Sequence, residues 1–128
     1  MYIVETHKAP AAIGPYSQAV VVEHLQLVFT AGQLGLLPES GEFAGSDIKS
    51  QAHQCVQNIR AILQAAGSDL HNVVKTTIFL QDMTDFGIVN QVYAQYFADS
   101  PPARSAVEVS RLPKGALIEI EAVATLEK

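Results

Sequence analysis

Arg104 and Glu119 are the two side chains whose type and placement suit chemistry on a small carboxylate. They share one stretch, Pro101 to Ala124, which reads PPARSAVEVSRLPKGALIEIEAVA. Arg104 follows Pro101-Pro102-Ala103 and opens a β-prone run, so prolines of fixed φ hold its backbone on one side while a ladder begins on the other. Its planar guanidinium can grip a carboxylate through two parallel charge-assisted bonds and stays protonated throughout the working pH range. An exposed arginine at a strand end would carry the same spacing. Glu119 and Glu121 alternate with Ile118, Ile120, Ala122 and Ala124, which puts the two carboxylates on one strand face and the apolar residues on the other. A polar residue on the outer face of a half-buried strand is described fully by that position, though a carboxylate is also among the few groups this chain offers for chemistry.

Other groups could assist. Gly14-Pro15 forces a turn that presents Tyr16, as a ligand contact or as a core aromatic with its hydroxyl at the rim. Gly32 follows directly on a β-prone run, where a glycine either ends the strand or lets a ligand come close to the backbone. Asn90 lies four residues after Phe86 in a helical stretch, so both point roughly the same way, and an amide beside an apolar stripe needs a partner.

The elements that must position these groups follow from periodicity. Met1–Thr6, Ser17–Glu23 and Leu27–Thr30 read as strands, with His24-Leu25-Gln26 closing a hairpin between the last two. Leu34–Gly45 reads as loop. Ser46 suits a helix N-cap, and apolar residues then recur at Ile48, Ala52, Cys55, Val56, Ile59, Ile62, Leu63 and Ala66 before Gly67. Val73–Leu80 is β-branched and alternates as a central strand should, with Val74, Thr76, Ile78 and Leu80 on one side. A second helix is expected from about Asp85 to Phe97, capped by Thr84 or Asp82, with Phe86, Val89, Tyr93, Tyr96 and Phe97 along one stripe. Arg104–Val109 and Leu117–Leu126, joined by Leu112-Pro113-Lys114-Gly115, read as a hairpin or as two strands meeting across a longer loop. The order predicts an α+β fold, a mixed sheet with two helices on one face. The other face needs a cover, for which a second copy of the same sheet is the natural candidate.

Composition narrows the classes. The 128 residues suit one domain, 1–128, and 48% hydrophobic against 16% charged residues favours extra burial at a subunit interface. A net charge of −5 with no run of Lys or Arg weighs against nucleic acid as a partner. Cys55 is the only cysteine and sits in a helical apolar pattern, which reads as a buried thiol. The N-terminus carries no signal pattern and no apolar run approaches membrane-spanning length, so a cytoplasmic location without membrane partners is expected. His7, His24, His53 and His71 are scattered without metal-ligand spacing, and no phosphate loop or G-x-S-x-G elbow is present. An enzyme built this way is expected to work without metal or cofactor.

Four segments, APAAIGPYSQA, FTAGQLG, NVVKTTIFLQDMTDFGIVNQVY and PPARSAVEVSRLPKGALIEIEA, together resemble the RidA group of the Rid (YjgF) family, and the likeness spans nearly the whole chain. The resemblance implies a chorismate-mutase-like α+β subunit and a homotrimer whose sheets face one another, with sites in the clefts between subunits. It implies hydrolysis of 2-enamine and 2-imine intermediates to 2-oxoacids and ammonia, so the small-molecule partner is an imine, enamine or 2-oxoacid. By the same resemblance Arg104 would grip the substrate carboxylate and Glu119 would position or activate water. Tyr16 and Asn90 would lie near the pocket, Gly32 would offer its backbone amide, and Phe86 would form a wall.

Two residues depart from the pattern common in the family. Ala31 stands where many members carry serine, and Ala106 where many carry cysteine. A hydroxyl and a thiol are lost while the backbone amide at 106 is kept, so the resemblance implies activity with altered rate or substrate preference. Other readings stay open beside it. One is a module that binds small carboxylates or 2-oxoacids without turnover. Another is a ribonuclease-type translation inhibitor, against which the acidic charge weighs, and a third is a chaperone-like surface suggested only by the apolar composition.

Overall fold

The computed structural model describes residues 1–127 and is an α+β fold in which two helices pack on one face of a mixed sheet. The strands are β1 (Tyr2–Val4), β2 (Ala19–Val22), β3 (Leu27–Thr30), β4 (Gln33–Leu34), β5 (Val73–Leu80), β6 (Ala103–Glu108) and β7 (Ile118–Thr125). The helices are α1 (Ile48–Ala65) and α2 (Phe86–Phe97). Sheet order is β1-β2-β3-β7-β5-β6, and β4 continues along β7 beyond β3. Every pairing is antiparallel except β5 with β6.

The core forms between helices and sheet. Ile118, Ile120, Ala122 and Ala124 of β7, with Thr76, Ile78 and Leu80 of β5, face Ala52, Cys55, Val56, Ile59, Ile62 and Leu63 of α1 and are buried. The alternation read in β7 therefore holds: its helix side is buried, and Glu119, Glu121 and Val123 lie on the helix-free face. That face carries exposed Phe29, level with Val123, and Val107, level with Phe79.

Several expectations are corrected. The stretches 104–109 and 117–126 form no hairpin and do not meet at all, because β5 lies between β6 and β7. β6 instead runs parallel to β5 after a crossover through α2, since neighbouring parallel strands cannot be joined by a tight turn. Gln33 and Leu34, at the start of the expected loop, form β4. The α1 cap is Asp47 rather than Ser46, its carboxylate accepting from Ser50 N at 3.0 Å. Asp82 caps a 3₁₀ turn over Met83–Asp85, and α2 follows from that turn with no side-chain cap of its own. Val74 is exposed instead of sharing the face of Thr76, because a bulge between Val73 and Lys75 shifts the register and turns Val73 inward.

Candidate active site

Arg104 sits at the start of β6, level with Thr76 of β5, on the face that the helices cover. Prolines 101 and 102 end the connection from α2 just before it. Its guanidinium donates through Nη1 to Asn90 Oδ1 at 2.8 Å and lies 5.1 Å from the ring centre of Phe86 and 4.8 Å from that of Tyr93. The three α2 residues lie at i, i+4 and i+7, so one helical stripe builds a cradle that stacks the guanidinium and fixes one edge of its fork. Arg104 forms no ion pair among the described residues. Its other N–H groups are thus available to an incoming anion.

Tyr93 is the member of this group that sequence reading places in the core and not at the site. It is buried, its hydroxyl bonds to Thr76 Oγ1 at 2.7 Å, and burial pushes the phenol up against opposing effects from Thr76 and Arg104. The signal was present in the i, i+3 spacing from Asn90. Ala106, two residues along β6, faces the same side and packs against the core.

The second group of residues lies elsewhere. Tyr16, Ala31, Gly32 and Glu119 line an open chamber of about 830 Å³, whose apolar wall includes Ile13, Leu34, Leu36 and Pro38. Gln18 ties down the loop before it: buried, it accepts from Thr6 N at 2.7 Å and donates to the carbonyls of Thr6 and Pro10. Its own carbonyl accepts from Ala31 N at 2.8 Å, joining the Tyr16 segment to the Ala31-Gly32 strand break. The far wall hangs on α1, where buried Asn58 donates to the carbonyls of Leu34 and Leu36 at 3.0 and 2.9 Å.

Glu119 is half-buried in this chamber and has no ion-pair partner among the described residues. Burial raises its carboxyl above the usual range, and the Glu121 carboxylate on the same strand face adds to the rise. Gly32 is a glycine for a visible reason. A Cβ there would lie 2.8 Å from Glu119 Cδ and would overlap Oε2, so the bare backbone is what lets the carboxylate rest against this strand break.

The structure does not bring Arg104 and Glu119 together in one chain. Arg104 is level with Thr76, and Glu119 with Phe79, on the other side of β5 and on the opposite sheet face. Two strand spacings and three residue rises put their α-carbons about 14 Å apart. The candidate residues therefore form two separate groups: an arginine cradle on the helix side, and a carboxylate chamber that Glu119 enters from the other sheet face. Cys55 belongs to neither. It is buried, with Sγ 3.7 Å from the Ile118 carbonyl, and desolvation pushes the thiol far up. Among the described residues no three His, Cys, Asp or Glu side chains converge to hold a metal ion, and no helix is long and apolar enough to cross a membrane.

Residues 6–126 match the model of the endoribonuclease L-PSP family. The chain belongs to this family, the Rid or YjgF proteins. Among Rid relatives, the mouse 2-iminobutanoate/2-iminopropanoate deaminase is 51% identical over 122 residues, spanning 95% of this chain and 89% of its own. A RutC family protein of Pyrococcus abyssi is 52% identical over 125 residues, 98% of this chain and 97% of its own. The crystal structure of E. coli TdcF with bound serine matches the fold with a TM-score of 0.94 at 42% identity, covering 99% of this chain and 100% of that one.

Proposed function

We propose that this Rid protein hydrolyses 2-imine and 2-enamine intermediates, 2-iminopropanoate and 2-iminobutanoate among them, to 2-oxoacids and ammonia. The observation that carries the reading is the half-buried, unpaired Glu119 resting on Gly32 in an open chamber, its carboxyl pushed above the ordinary value by burial and by Glu121. The deaminase name of a relative sharing half its residues supports it.

The chemistry asks little of the protein. An imine carbon is already electrophilic, so holding the substrate carboxylate on Arg104 and one water on Glu119 supplies mainly proximity. The water oxygen bonds to C2 while Glu119 takes its proton. That proton passes to the nitrogen to give a carbinolamine; the new hydroxyl then yields its own proton, by way of Glu119, to the same nitrogen, the carbon–nitrogen bond breaks, and ammonia leaves as the oxygen becomes the carbonyl of the 2-oxoacid. An enamine first takes a proton at C3 to become the imine.

Because the two groups lie on opposite faces of one sheet, the working site is read as shared, with Arg104 of one copy meeting the Glu119 chamber of the next in a cytoplasmic homotrimer. The exposed Phe29 and Val107 on the helix-free face are consistent with such packing. A pyridoxal-phosphate dehydratase fed threonine or serine, with semicarbazide trapping the imine competitively, provides the assay. The protein should speed 2-oxoacid release, Arg104→Ala should not, and sedimentation should give the mass of three chains. No acceleration by wild type would leave carboxylate binding without turnover as the reading.

A further inference from the structure

The Glu119 chamber has a cation of its own, and it is not Arg104. Lys114 is the only Lys, Arg or His among the residues lining it. It lies in the Leu112–Ala116 turn with left-handed backbone, φ 59° and ψ 15°, a region that residues with a side chain rarely enter. The other non-glycine of this kind among the described residues is Gln26, whose side chain returns to its own turn by donating to the Glu23 carbonyl at 2.7 Å. Lys114 makes no ion pair among the described residues. A glycine or asparagine would build the same turn with less strain, so what the lysine contributes is its ammonium group.

One copy offers an open chamber of about 830 Å³ before the neighbour's Arg104 enters it. Its wall of Ile13, Leu34, Leu36 and Pro38 suits the methylene groups of a longer side chain. Lys114 is the basic residue of that lining, and Glu39, also part of it, disfavours an anion near itself.

We propose that Lys114 is a specificity-determining residue that receives a carboxylate at the far end of the substrate side chain, so that 2-imino acids bearing a second, distal carboxylate are substrates beside the small ones. The inference rests on the deaminase reading and adds a substrate class to it.

The test compares kcat/KM for 2-iminoglutarate with that for 2-iminopropanoate, each generated in place by an amino-acid oxidase and measured against semicarbazide trapping. Wild type is set beside Lys114→Met, Lys114→Gly, which relaxes the turn, and Lys114→Arg, which keeps the charge. The ratio of the two values should fall about tenfold in the Met and Gly variants, the worth of one charge-assisted contact, and recover in Arg. It should also fall with added salt in wild type. A ratio that moves less than about twofold in Met and Gly, or an equal loss on both substrates, overturns the role of Lys114 and leaves the deaminase standing. If wild type accelerates neither imine, the deaminase reading itself has failed and the inference goes with it.

Discussion

Gly32→Ala tests the position of the Glu119 carboxylate separately from its presence. The new Cβ would lie 2.8 Å from Glu119 Cδ and 3.1 Å from Cγ, where ordinary contact begins near 3.4 Å. The carboxyl carbon must therefore retreat by 3.4 − 2.8 = 0.6 Å, and the overlapped Oε2 further, about 1 Å at the reacting end. A misplacement of that size costs on the order of 100-fold in turnover, about 2.7 kcal/mol of barrier. The fold should tolerate it, because the atoms that must move are the end of a flexible side chain and Gly32 does not have positive φ. Steady-state 2-oxoacid release would be measured for Gly32→Ala, Glu119→Gln and the double variant, beside a thermal melt of each. The double variant should lose no more than the weaker of the two single variants, since both changes remove one function. Turnover of Gly32→Ala within about threefold of wild type, or losses that simply multiply, would refute the placement of Glu119 at the reacting atoms.

Arg104→Ala should cut turnover by at least about 100-fold with a melting temperature within a few degrees of wild type, since the side chain is exposed and bound only to Asn90 and two ring faces. Glu119→Gln should lower turnover yet stabilise the fold at neutral pH. The folded carboxyl sits above its ordinary value of 4.5, so the native state binds the proton more tightly, and stability is lost as pH rises from there through the folded value. The Gln variant lacks that loss, and its melting advantage over wild type should be seen at pH 7 and vanish near pH 4. Asn58→Ala strips the Leu34 and Leu36 carbonyls of their donor and should cost about 3 kcal/mol, a drop of about 10 °C by calorimetry.

Much of this was legible where one period governs one element. The β7 alternation gives the face of Glu119 correctly, because one side of the strand is core and the other is not. The α1 stripe is equally plain. What failed was pairing: β6 and β7 adjoin in sequence across a Pro-Lys-Gly turn, and nothing local says that β5 is inserted between them. Strand partners are set by the crossover through α2, a non-local fact. The same gap hid the separation of Arg104 from Glu119. The Val74 error has a smaller cause, a bulge that resets the count by one. Lys114 escaped because its signal is a φ angle, and a lysine between proline and glycine reads as an ordinary turn residue.

The separation of the two charges has a consequence that can be tested without a structure of the assembly. Because the two groups lie on opposite faces of one sheet, a single chain holds only one half of the proposed constellation at each place. In the proposed trimer they meet only across an interface, with the substrate carboxylate on the arginine between them. Two inactive variants should then rescue each other. Arg104→Ala supplies an intact chamber and Glu119→Gln an intact cradle. In trimers reassembled from an equal mixture, a site has a one-half chance of each intact side, so about a quarter of sites, and about a quarter of wild-type turnover, should return. Mixing folded trimers without dissociating them should return none. If reassembled mixtures stay as inactive as the two parents, each site draws both residues from one chain, and the shared-site reading is wrong.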